Sequence, residues 1–199
     1  PFQGRVTAQW RGYTNHAGMD IAPPTAGQTG RPVYAAFAGK VKKLHRGAKR
    51  GNTRSTWAPG RTGNGILIEN PDGEGNGYNH VNPLATLSVG DTVKAGELIG
   101  YNDTSGRQTG PHLHFEMWAD ADNSSSDYDP RKAFKAHGIT PGDAPKVSSS
   151  AASKPAASGV KQTKLAKEAG LTVAQVKKLQ TFLNKNYPAY SSLAQDGDY

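Results

Sequence analysis

Thr109–Trp118, TGPHLHFEMW, is the stretch on which the reading of this chain turns. Its run HLHFEMW has the character of a β-strand, and on a strand residues i and i+2 share a face. His112 and His114 therefore point into the same space, with Glu116 beyond them on that face. Neighbouring imidazoles add little packing to a surface strand and repel each other once both are protonated. Metal or proton chemistry does need them there. Glu116 reads either as a support for that chemistry or as one half of a salt bridge at a cleft edge.

Outward from this stretch, short apolar or alternating runs recur between glycine-rich turns: PVYAAFAG (32–39), KVKKL (40–44), GILIEN (65–70) and DTVKAGELIGY (91–101). The pattern predicts an all-β domain of antiparallel sheets, with glycine supplying tight turns and bulges. VGDTVKAGELIG (89–100) also resembles the hairpin of biotin- and lipoyl-carrier domains, but no lysine stands at a tight turn between hydrophobic strands as such a carrier needs. Between KVKKL and GILIEN lies a connection too long for an ordinary strand link, which marks a functional or a disordered loop. DPRKAFKAHG (129–138) reads as a short helix with Asp129 at the N-cap, Pro130 at N1 and Gly138 past the end.

Upstream, NHAGMDIAPP (15–24) sets His16 four residues before Asp20. Imidazole plus carboxylate is a donor set that zinc accepts, and one member of the later pair would make three protein ligands with a fourth position open. That is the catalytic pattern. Structural zinc sites fill all four positions, mostly with cysteine, and this chain has none. His80, in GEGNGYNHVNPL (73–84), follows a run of turn residues; alone it reads as an ordinary histidine with a satisfied hydrogen bond, and the His16/Asp20 spacing alone is loose. His45, in a basic stretch, and His137, in a last helical turn favoured by the helix dipole, fall outside the site.

The order and company of these segments resemble the lysostaphin-type zinc endopeptidases of peptidoglycan. The resemblance spans residues 4–120 and rests on HAGMDIAPP, RPVYAAFAGKV, GNGILIENPDG, GYNHVNPL and LSVGDTVKAGELIGYNDTSGRQTGPHLHFE together. It implies one zinc ion held by His16, Asp20 and His114, and a catalytic pair of His80 and His112. It also implies that the long loop walls a substrate groove, making Trp57 and its basic neighbours candidates for peptide contact. The chemistry expected is attack of a zinc-activated water on an amide carbonyl, with an imidazole taking the proton; which histidine is the base stays open. An inactive wall-binding or hydrolase-regulating relative of the same fold is the alternative, and such relatives typically lack one or more of the five residues.

A formal net charge of +8 draws the chain to anionic polymers, and GKVKKLHRGAKRGNTR (39–54) holds seven cations without an acid. No nucleic-acid motif accompanies it, so bacterial peptidoglycan and the anionic polymers of the wall are the expected partners rather than nucleic acid. No run of residues is long and apolar enough to span a membrane, and a monomer is expected. No signal segment is visible, although the chain begins at Pro1. Action on the wall, after secretion or release at phage-induced lysis, is the expected setting.

Three regions are expected: an endopeptidase domain over 1–140, a flexible Ser/Ala/Pro-rich linker over 141–160, and a partial helical module over 161–199. In the last, Thr172 and Gln175 form a capping box, and Val176, Leu179, Phe182 and Leu183 make one apolar face. VKKLQTFLNKNYPAYSSLAQDGDY (176–199) resembles the opening of a peptidoglycan-binding repeat whose second half is absent, as in a truncated longer protein. A tether of this kind adds wall binding to catalysis.

Overall fold

The computed structural model describes residues 1–143. The expected helical module over 161–199, and all but the first three residues of the expected linker, lie outside the described residues.

The described chain is almost entirely β, in agreement with the alternating pattern. Its strands are β1 (Arg5–Ala8), β2 (Met19–Ala22), β3 (Pro32–Tyr34), β4 (Gly39–His45), β5 (Gly65–Glu69), β6 (Gly75–Asn79), β7 (Val81–Pro83), β8 (Thr92–Val93), β9 (Leu98–Asn102), β10 (Leu113–Trp118) and β11 (Asp127–Tyr128). One sheet runs β1-β2-β10-β6-β5-β4-β8 with β11 on the edge of β10, and a second runs β3-β9-β7. All the strand pairs are antiparallel.

Strand β10 organises the molecule. Leu113, Phe115 and Met117 enter the main core with Met19 and Ile21 of β2, Ile66 and Ile68 of β5, and Tyr78 of β6. The only helix among the described residues, α1 (Pro130–Ala136), closes that side, stacking Phe134 on Phe115 at 4.9 Å. Its cap is as expected: Asp129 accepts from the backbone N–H of Arg131 at 3.0 Å, and Pro130 occupies the first turn, where no donor is missed. His137 caps its end, with its ring against Phe37 in the core.

Alternation sends the remaining β10 residues to the opposite face, where the register sets His114 against Asp20 on one side and Asn79 on the other. Here Trp57 lies flat on the sheet, stacked on Trp118 at 5.9 Å and donating from its indole N–H to Asn79 at 3.0 Å. It is 5% exposed, so the expectation of Trp57 as a free peptide contact is corrected: it pins the long loop to the sheet.

Trp57 also explains strand β6. GNGYN has the composition of a turn, since glycine and asparagine disfavour strands, yet it forms a strand. A Cβ on Gly77 would stand 3.0 Å from the Trp57 ring, and one on Gly65 opposite Asn79 would stand 2.0 Å from its Nε1. The glycines make room for an indole. DTVKAGELIGY likewise divides, β8 joining the large sheet and β9 the small one, so it forms no hairpin of the carrier type. PVYAAFAG is strand only over β3 and at Gly39, where β4 begins, and β10 begins one residue after His112.

Candidate active site

Three chain segments meet on the open face of β2 and β10. Asp20 comes from the middle of β2, where its neighbours Met19 and Ile21 anchor the strand in the core. His16 comes from the loop before β2; Gly18 lets that loop press on β10, since a Cβ there would stand 2.3 Å from the carbonyl oxygen of Phe115. His114 comes from β10. His16 Nε2 and His114 Nδ1 lie 3.1 and 2.8 Å from Asp20 Oδ1 and 3.2 Å from each other.

The hydrogen bonds on the far side of each ring decide what those near atoms are. His16 Nδ1 is 2.7 Å from the Gln9 carbonyl oxygen, and His114 Nε2 is 2.9 Å from Glu116 Oε1. Carbonyl and carboxylate oxygens only accept, so each far nitrogen carries a proton and each near nitrogen offers a lone pair. Three acceptors crowded within 3.2 Å repel one another unless a cation stands among them. In the ion-free molecule that cation is a proton: burial disfavours charge on His114, but hydrogen bonds to Asp20 and Glu116 override it and push its pKa up to about 9. Burial likewise opposes the Asp20 charge, yet the hydrogen bond from protonated His114 holds its carboxyl well below the usual range. Two imidazoles and a carboxylate, all buried and converging on one point, are a donor set suited to zinc.

Beside this group stand the other two predicted residues. His112 points Nε2 toward Asp20 Oδ1 at 3.5 Å and donates from Nδ1 to the Gly110 carbonyl at 2.8 Å. His80 follows β6 with a left-handed φ of 59°, and donates from Nδ1 to the Ser105 carbonyl at 2.8 Å. Their rings meet edge to face at 4.8 Å. Burial lowers both pKa values, that of His80 to about 3 with help from the charge on His112 and His114. Both rings are neutral at pH 7, each with an unprotonated Nε2. All five residues singled out in the sequence thus come together.

Apart from Glu116, which turns out to be both a support for His114 and one half of a salt bridge with Arg61, the sequence did not single out the frame that holds them. Glu116, fully buried, accepts from His114, from Trp118 Nε1 at 2.7 Å and from the Arg61 guanidinium, and Arg61 comes from the long loop. Its carboxyl is lowered to about 2: burial opposes this, but the bonds from His114 and Arg61 prevail. Tyr13 stacks on His16 at 4.1 Å and donates to Asp20 Oδ2 at 3.1 Å. Asn64 and Asp103, joined at 2.7 Å, and Ser105, bonded to both, brace the backbone that holds His80. Glu116 aside, no motif marks these partners; only folding brings them within reach.

The comparison with known proteins agrees with this geometry. Over 125 residues the chain is 31% identical to glycyl-glycine endopeptidase ALE-1 of Staphylococcus capitis, covering 62% of this chain and 30% of that protein. It is 32% identical over 117 residues to peptidoglycan DD-endopeptidase ShyB of Vibrio cholerae, covering 59% and 22%. It is 34% identical over 110 residues to lysostaphin of Staphylococcus simulans, covering 55% and 20%. The solved structure of lysostaphin from that species superposes with a TM-score of 0.51 at 27% identity, covering 78% of this chain and 56% of that one. The chain therefore spans 20–30% of the length of these curated relatives. The model of Peptidase family M23 matches residues 14–128, more than half of the chain and a span that encloses His16, Asp20, His80, His112 and His114. The protein is a member of peptidase family M23.

Proposed function

We propose that this chain is a zinc-dependent endopeptidase hydrolysing peptide bonds in the stem or cross-bridge of bacterial peptidoglycan. The observation that carries the reading is the convergence of His16 Nε2, Asp20 Oδ1 and His114 Nδ1, as lone-pair donors, beside the neutral rings of His80 and His112. The first three hold the ion. Zinc in that position supplies a Lewis acid that polarises an amide carbonyl and lowers the pKa of water from roughly 15.7 to about 7.

The protein's own residues do the rest. Gln9 and Glu116 hold the two imidazole ligands in one tautomer and one orientation. His112, the nearer of the pair to Asp20, accepts the proton of the attacking water through Nε2 and passes it to the leaving amine. His80 keeps a second neutral ring edge-on to His112 and narrows the site against bulk water. An inactive wall-binding relative is the weaker reading, because all five positions carry the residues the chemistry needs.

The peptidoglycan assignment draws on the wall-directed names of the relatives and on the basic charge, which suits a polyanionic wall. The enzyme acts as a monomer on the wall from outside the membrane, whether secreted or released by a phage, and residues 161–199 tether it there through the linker at 141–160. No helix among the described residues is long and apolar enough to cross a membrane. Digestion of purified sacculi of differing cross-link chemistry, with and without chelator, tests the reading. New peptide amino termini should appear by mass analysis, vanish with chelator and return with zinc. Sacculi left intact by zinc-loaded protein would overturn it.

A further inference from the structure

The basic stretch 39–54 divides in two on folding. Lys42 is tied to Glu69 and Asp122 at 3.0 and 2.8 Å, and Arg46 donates to the carbonyls of Leu84 and Leu87. Lys40 and Lys43 lie along β4. Lys49, Arg50 and Arg54 instead stand exposed on the loop, and among the described residues none of the three forms an ion pair. Exposed Arg107, equally unpaired, joins them because the two backbones are stitched together: Gly106 N–H donates to the Lys49 carbonyl at 3.0 Å and Gly51 N–H to the Gly106 carbonyl at 2.9 Å.

A cavity of about 390 Å³ opens there, lined by Arg50, Thr104, Gln108 and the run Thr109–Pro111. The acid next in sequence, Asp103, is turned away from it and accepts from Asn64 and Ser105. The far wall runs directly into His112, whose ring donates to the carbonyl of Gly110 in that same wall. The cavity therefore adjoins the site of reaction through Gly110 and Pro111.

We infer that Arg50, with Lys49 and Arg107 beside it, forms a subsite that recognises a carboxylate on the substrate peptide near the bond cut. The inference rests on the endopeptidase reading. A guanidinium fork matches a carboxylate in two parallel hydrogen bonds, the hydroxyls of Thr104 and Thr109 add donors, and no acid in the cavity wall competes. Free phosphate would meet the same atoms and is separated from a carboxylate in the test.

Oligoglycine and D-alanyl-linked stem peptides are each made in two forms, with Glu or with Gln two and three residues from the target bond. They are presented to the zinc-loaded full chain and to its Arg50→Ala and Arg50→Lys variants. The wild type should cleave a carboxylate form at least about tenfold more efficiently in kcat/KM than its carboxamide. Arg50→Ala should abolish the preference, bringing the two forms to equal kcat/KM, and Arg50→Lys should restore part of it. Equal losses on both forms, or a preference that survives Arg50→Ala, would overturn the subsite. So would Arg50-dependent inhibition by inorganic phosphate without any preference between the peptides. Calorimetric binding of the same pairs separates the two readings. Preference in binding that depends on Arg50, with no cleavage of any peptide, supports the subsite and sinks the endopeptidase reading.

Discussion

His114 and Glu116, two positions apart on β10, meet through Nε2 and Oε1 at 2.9 Å, and the same carboxylate is gripped from its other side by Arg61. A residue of the long loop thereby sets the orientation of an imidazole it never touches. Partners of this kind typically contribute 10–100-fold to metal affinity. Arg61→Ala should weaken zinc binding by about that factor in competition with a fluorescent chelator. Unchanged affinity would reduce the ion pair to a fastener for the loop.

Ligand and proton-transfer roles separate by metal content. Asp20→Ala and His114→Ala should purify without zinc and without activity. His112→Ala and His80→Ala should keep close to one zinc per chain by elemental analysis while activity falls about 10²–10⁴-fold. A zinc-loaded His112→Ala protein with wild-type rates would remove His112 from the chemistry.

Proton linkage makes the ion-free protein stable over a limited pH range. His114 is raised from 6.5 to about 9, so its contribution is whole below about 6.5 and lost as pH rises through about 9. Glu116 is lowered from 4.5 to about 2, so its contribution is present above about 4.5 and lost as pH falls through about 2. His80 is lowered from 6.5 to about 3, so its contribution is present above about 6.5 and lost as pH falls. Thermal unfolding of the ion-free protein should therefore give the highest Tm near pH 6.5, with a decline on both sides. Zinc replaces the His114 proton, so the alkaline decline should disappear in the loaded protein. A Tm that stays flat from pH 6.5 to 10 without zinc would contradict the proton's place in the site.

Gly65 and Trp57 form a size-matched pair. Gly65→Ala places a methyl where the indole lies and should destabilise by about 1–3 kcal/mol in denaturant titration. In a Trp57→Ala background the same change should cost little, because the obstacle is gone. Additive losses would mean that the glycine serves the strand for another reason.

The proposed tether is tested by ending the chain after Asp143. Hydrolysis of a soluble peptide should be unchanged, while hydrolysis of whole sacculi falls as the local concentration on the wall is lost. Equal rates on both substrates would deny residues 144–199 a targeting role.

The sequence by itself determined the period-two strands, the capped helix at Asp129 and the same-face pair His112 and His114, because each is written in local spacing. His80 and the loosely spaced His16 and Asp20 became candidates only through the resemblance of the longer segments around them. Only the tertiary structure decided the rest. Strand β6 was hidden because Gly77 answers to Trp57, some 20 residues away, and not to strand propensity. Arg61 reaches Glu116 across 55 residues, and Asn64 reaches Asp103 across 39. Such partners depend on sheet register and loop path, which arise when burial drives the two faces of β10 to opposite fates.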